Sequence, residues 1–147
     1  MYSPAKRAAM GFLAAAIAVL TFHQGMWELL HLAAIPGMGM PVWFPMDPVP
    51  PLGVPKLLSL CFWGGLYGVV FGLLMPKFTL PLWLCGLITG FVAVLVGLFI
   101  VPTIKGLPVG GGWVMLSWLR SFVINGCWGI GLGLILPFLL PTRPADR

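Results

Sequence analysis

Four ionisable side chains stand inside long apolar runs of this chain: His23, Glu28, His31 and Arg120. A charged group at the centre of a membrane span costs about 2.5–3.5 kcal/mol on insertion scales, so each needs a partner, water or a task. Counted from run ends near Ile35 and Trp113, Glu28 and Arg120 each lie seven residues deep, roughly 10 Å at 1.5 Å per residue. His23 and Asn125 match in the same way at twelve residues, roughly 18 Å. The expectation is two polar rungs, with a Glu28–Arg120 ion pair above a His23–Asn125 hydrogen bond, fixing the register of the first and last helices. His23, Trp27 and His31 share one helix stripe, with Glu28 at its edge. A rival reading makes the cluster a path or pocket open to the outside, since Glu and His exchange protons where water reaches them.

Metal chemistry has two weaker supports. Glu28-Leu-Leu-His31 has the Glu-x-x-His spacing of di-iron bundles, but no second copy or further carboxylates accompany it. His31 with Met38, Met40 and Met46 would suit Cu(I), although methionine also serves as adaptable apolar filler. Both histidines fall on one helix, which disfavours bis-histidine haem within one chain. No cofactor is expected beyond this minor copper alternative. Catalysis has little footing: Gly-x-Ser-x-Gly and P-loop patterns are absent, and Ser3, Ser59, Ser117 and Ser121 have no His and acid at motif spacing.

The elements that must hold these residues follow from composition. Of 147 residues 60% are hydrophobic and 7% charged, against about a quarter charged in a soluble domain. Apolar stretches at about 8–35, 56–75, 82–101 and 113–140 are each long enough to span a bilayer, so the expected fold is all-α, a single polytopic domain with four transmembrane helices. Lys6 and Arg7 precede the first stretch as in a secretory signal, but its apolar character continues to Ile35, and it reads as a retained span. Lys6, Arg7, Lys77, Arg143 and Arg147 fall on one side and Lys56 and Lys105 on the other, which places both termini in the cytoplasm. Trp43 and Trp113 would mark the outer interface and Trp83 the inner. The net charge of +5 thus reads as orientation and not as a nucleic-acid footprint, which needs a clustered basic face.

The connections differ in kind. The outer loop 36–55 holds seven of the fifteen prolines and is expected to be extended or turn-rich. The link 76–81 is short enough to make the second and third helices antiparallel neighbours, and 102–112 is Gly-rich. Gly64, Gly68 and Gly72, Gly86 and Gly90, and Gly129 and Gly133 recur every four residues and should line stripes where backbones approach closely, within the chain or in a homo-oligomer. Trp63-Gly64 echoes Trp128-Gly129, Ala18-Val19-Leu20 echoes Ala93-Val94-Leu95, and both glycine runs reach a proline, Pro76 and Pro137. Two hairpins of one orientation would give such a pattern. Cys61, Cys85 and Cys127 lie in apolar runs at different depths and read as packing groups, not a disulfide framework.

At Thr21-Phe-His-Gln-Gly25 with Leu29-Leu-His31, then Val49-Pro-Pro-Leu-Gly-Val-Pro55 and Ser59-Leu-Cys-Phe-Trp-Gly-Gly65, the chain resembles small uncharacterised inner-membrane proteins of proteobacteria. The resemblance implies a four-helix bacterial inner-membrane protein and assigns no activity, cofactor or site. The expectation is a non-enzymatic structural or accessory subunit whose partners are the bilayer and another copy or a larger membrane complex. The alternative is a small transporter or channel-like protein with His23, Glu28, Arg120 and Asn125 lining an outward pocket.

Overall fold

The computed structural model describes residues 2–40 and 43–141. Four helices, each long and apolar enough to cross a membrane, make up most of them: α1 Pro4–Ala33, α2 Lys56–Lys77, α3 Leu82–Lys105 and α4 Met115–Leu139. Their outward faces carry large apolar side chains such as Leu20, Leu58, Phe62 and Phe138, as lipid-facing helices would. Arg143 and Arg147, two of the positive charges in the orientation count, lie outside the described residues.

The helix bounds depart from the hydropathy limits for local reasons. The first helix begins before Ala8 because Ser3 caps it, its Oγ accepting from the Lys6 amide at 3.3 Å, and Pro4 follows at a first-turn position where no N–H is needed. It stops before Ile35 at Ala34, whose φ of 49° is left-handed. The third helix passes Pro102 and reaches Lys105. A wide turn at Val96–Ile100, with the Val101 amide bonded five residues back to Val96, moves the carbonyls that the proline ring would otherwise strike. Residues 109–113 form a tight turn in which Gly110, Gly111 and Gly112 all have positive φ, so the fourth helix starts at Met115 and not at Trp113. Proline does not end that helix, since Pro137 sits inside it. In the 36–55 loop the extended chain folds back as a small ladder, β1 Pro48–Val49 against β2 Val54–Pro55.

α1 packs along α2, α3 packs along α4, and α1 joins the two pairs through α4; α2 and α3 touch little. Each pair closes on glycine. A Cβ at Gly11 would strike the Gly68 carbonyl and one at Gly68 the Gly11 carbonyl; Gly86 and Gly129 stand in the same reciprocal relation. One turn on, Gly72 meets the Arg7 carbonyl and Gly133 the Leu82 carbonyl, while Gly90 meets the carbonyl of Asn125. Close backbone approach of this kind supplies packing where lipid removes the hydrophobic drive between helices. The predicted stripes therefore serve packing within the chain, with Gly11 as a member that lies outside the every-fourth-residue runs. Gly64 instead faces Val19 and the Trp128 ring.

Between the pairs lie Ala14, Ala15, Ala18 and Val19 of α1 with Trp128, Leu132 and Leu136 of α4. The Trp128 indole N–H donates to the Ala15 carbonyl at 3.1 Å, pinning the two pairs together. At the end that carries the α2–α3 turn, the Tyr2 hydroxyl donates to the Pro141 carbonyl at 3.0 Å, so Tyr2 and Pro141 sit side by side there. The 36–55 and 106–114 connections occupy the opposite end, called here the loop end.

Candidate functional site

The polar residues of α1 face inward because of one extra residue. Before Val19 the buried positions are Ala14, Ala15, Ala18 and Val19, a helical stripe whose continuation would be Phe22, Gly25 and Leu29. All three are exposed, Phe22 at 37% and Leu29 at 56%. The buried set after the break is His23, Gln24, Trp27 and Leu30. Between them Val19–His23 forms a π turn, with the Gln24 amide bonded five residues back to Val19. Such a turn inserts one residue into the helix and steps the inward face along by one. Thr21 supports it by donating its hydroxyl to the Ile17 carbonyl at 2.7 Å. In α3 the wide turn is accompanied by a similar bond, Thr103 to the Phe99 carbonyl at 2.6 Å.

The first buried group is a His–Gln pair. His23 Nδ1–H donates to Gln24 Oε1 at 3.1 Å, and the imidazole stacks on Trp27 with centroids 6.3 Å apart. Gln24 is 1% exposed and its Nε2 finds no acceptor. One turn closer to the loop end, both carboxylate oxygens of Glu28 are buried and neither has a hydrogen-bond partner among the described residues. An unpaired buried polar group costs about 1–3 kcal/mol, more when charged, so Glu28 is the most conspicuous energetic debit among the described side chains.

The two expected rungs are not formed. Arg120 makes no ion pair or hydrogen bond with a described residue. Depth was not matched: Phe22 lies against Gly131 and Gly37 against Leu116, so Glu28 is level with about Asn125 while Arg120 lies about a turn and a half nearer the loop end. Nor was azimuth: the α1–α4 contact at this level runs through Trp27, Leu30 and Ile124, and Glu28 is about 100° round the helix from Trp27. Asn125 does not reach His23 either. Its Nδ2 donates to the Ser121 carbonyl at 3.0 Å, as Ser121 Oγ does to Ser117 at 2.8 Å, so both side chains serve their own helix.

The loop-end residues separate in a similar way. His31 Nδ1 bonds the Met40 carbonyl at 2.5 Å, and its ring tilts against Trp43 with centroids 5.1 Å apart. The side chains of Met38 and Met40 pack on the Trp27, Leu30 and Ile124 cluster, while Met46 is exposed. Those two methionines are thus engaged as apolar packing groups. Among the described residues no three His, Cys, Asp or Glu side chains gather as a metal site would need. Lys56, at the start of α2, sets its ammonium 5.5 Å from the Trp27 ring centroid. All three cysteines are free.

With this geometry in view, the chain matches no protein-family model, no curated protein and no solved structure. Gln24 is the site residue that motif reading passed over. The signal for it was present: the small-residue stripe of Ala14, Ala15, Ala18 and Val19 runs out of phase with the polar residues that follow, and only an inserted residue reconciles the two.

Proposed function

We propose that this chain is a bacterial inner-membrane protein, with both termini cytoplasmic, in which Glu28 is an exchangeable binding group for a proton or small cation in a small transporter or channel-like protein. The observation that carries the reading is the burial of both Glu28 oxygens without a partner among the described residues. A carboxylate kept for helix register would be matched by a cation or by amide donors, because an uncompensated one subtracts from stability. One kept to take up and release a cation has to forgo a permanent partner. The accessory-subunit expectation rested on the chain's size and its scarcity of chemical groups, and the unpaired Glu28 is what favours exchange over it. His23, His31, Asp47, Lys56, Lys105 and Arg120 are other ionisable groups toward this end, and Gln24 Nε2 is a second unsatisfied group one turn deeper.

The internal pattern of the bundle supports the same reading. We infer that the two helix pairs are repeats of one hairpin. Gly11 and Gly68 correspond to Gly86 and Gly129, and the Arg7–Gly72 contact to the Leu82–Gly133 contact. This alignment agrees with pairing Pro76 to Pro137 and sets the Trp63-Gly64 and Trp128-Gly129 echo one turn out of register. In each repeat the leading helix is interrupted by a π turn, at Val19–His23 and at Val96–Ile100. Transporters built from repeats commonly place their ion sites at interrupted helices where the repeats meet, which is where His23 and Gln24 lie.

The test is infrared difference spectroscopy of the full chain in lipid as pH is stepped. The expected result is a reversible protonated-carboxyl band that disappears in Glu28→Gln and that responds to pH from the loop end in sealed vesicles. A spectrum with no titrating carboxyl, or one unchanged by Glu28→Gln, would remove Glu28 as an exchanging group.

A further inference from the structure

Away from Glu28, at the end with the α2–α3 turn, a cavity of about 510 Å³ separates α2 from α3. Its walls are Tyr67, Val70 and Phe71 on one side and Ile88, Thr89 and Val92 on the other. Two of the polar groups in the walls and floor are satisfied within α3 and the turn: Thr89 Oγ1 donates to the Cys85 carbonyl at 2.9 Å and Cys85 Sγ to the Leu80 carbonyl at 3.7 Å. Apart from the Tyr67 hydroxyl, what remains to be covered in the walls is hydrocarbon surface. Val70 and Val92 are about half exposed, so the cleft opens sideways between the helices and not toward an aqueous end.

Two features identify the occupant. The cleft runs from Lys77 up to Tyr67, ten residues or roughly 15 Å of helix. That is half the hydrocarbon thickness of a bilayer, about 30 Å, and therefore the depth of one leaflet. At its mouth stand the exposed Lys77 and Thr79, a cation and a hydroxyl at the level where lipid headgroups lie. We infer that this cleft holds an acyl chain of an anionic phospholipid from the leaflet on the side of the α2–α3 turn, with the headgroup phosphate held by Lys77. The inference uses the membrane-spanning arrangement proposed above but none of the chemistry assigned to Glu28.

Native mass spectrometry of the full chain, released from detergent with either phosphatidylglycerol or phosphatidylcholine, tests it. The wild type should retain one phosphatidylglycerol, about fivefold more than phosphatidylcholine, which is the factor one basic side chain at headgroup level supplies. Lys77→Gln should bring the two lipids to parity while still retaining them. Ile88→Trp should fill the cleft and remove retention of both, whereas Lys105→Gln, at the loop end, should leave the fivefold preference intact. Equal retention of the two lipids by the wild type, or unchanged retention in Lys77→Gln and Ile88→Trp, would overturn the assignment. So would a lipid-independent dimer lost in Ile88→Trp, which would give the cleft to a second copy of the chain. Loss of the lipid result leaves the infrared test of Glu28 standing, because the two sites share no residue.

Discussion

Replacing Glu28 by leucine should make the protein more stable. At the centre of a span an acidic residue costs about 2.5–3.5 kcal/mol, while leucine is favourable by about 0.3–0.6 kcal/mol. Glu28 lies five residues inside the end of α1, roughly 8 Å, about halfway from the interface to the centre. Halving the central difference leaves a gain of ~1.5–2 kcal/mol for Glu28→Leu, within the range seen when buried charges are exchanged for apolar groups of similar size. For a chain of this length that corresponds to a rise of roughly 3–8 °C in Tm. The opposite sign follows from a paired carboxylate, whose removal would strand Arg120 and cost about 3–5 kcal/mol. Thermal unfolding in detergent, followed by far-ultraviolet circular dichroism, separates the two, and a double-mutant cycle with Arg120→Leu sharpens the result. Groups that do not touch should couple by less than about 0.5 kcal/mol. A fall in stability for Glu28→Leu that the double variant restores would refute the reasoning and reinstate the ion pair. The same substitution should abolish the infrared carboxyl signal, giving a more stable protein with its exchanging group removed.

Other expectations concern packing. Gly11→Ala and Gly86→Ala each force a Cβ against a backbone carbonyl of the partner helix, so each should cost about 1–3 kcal/mol in the same unfolding assay. Gly25→Ala meets nothing within 4 Å and should gain about 0.5–1 kcal/mol from helix propensity; a matching loss at Gly25 would show that close approach is not what the glycines provide. Trp128→Phe removes the donor to the Ala15 carbonyl and should lose about 0.5–1.5 kcal/mol, the net value of one hydrogen bond, since that carbonyl keeps its bond from the Val19 amide. An unchanged melting temperature would show that this bond does not hold the two pairs together.

Hydropathy alone located the four apolar helices, because runs of Leu, Val and Phe longer than a bilayer needs leave few alternatives. The glycine stripes were also legible, since spacing by four maps directly to one helix face. Depth was not readable for Glu28 and Arg120, because counting from helix ends assumes that the ends are level, whereas the start of α4 reaches Gly37, beyond the end of α1. Nor was azimuth, because it depends on residues per turn, and a single π turn between Val19 and His23 changes the facing of everything after it. That is why Gln24 was passed over and why the paired rungs were expected. Helix ends shifted for related reasons: a serine cap, left-handed glycines and a wide turn ahead of Pro102 act on one or two residues each, below the resolution of a hydropathy window.

The break in α1 also divides its allegiances. The segment before Val19 is fastened to α2 by backbone contact at Gly11 and Gly68, whereas the segment after His23 touches chiefly α4. A continuous α-helix would transmit a rotation of one half to the other. Here the joint has its own hydrogen-bond spacing, with the Thr21 hydroxyl bonded to the Ile17 carbonyl. The half after His23 therefore takes its facing from α4 and the glycine-locked half from α2, so that deleting one residue within Val19–His23 would turn one half away from its neighbour and leave the other in place.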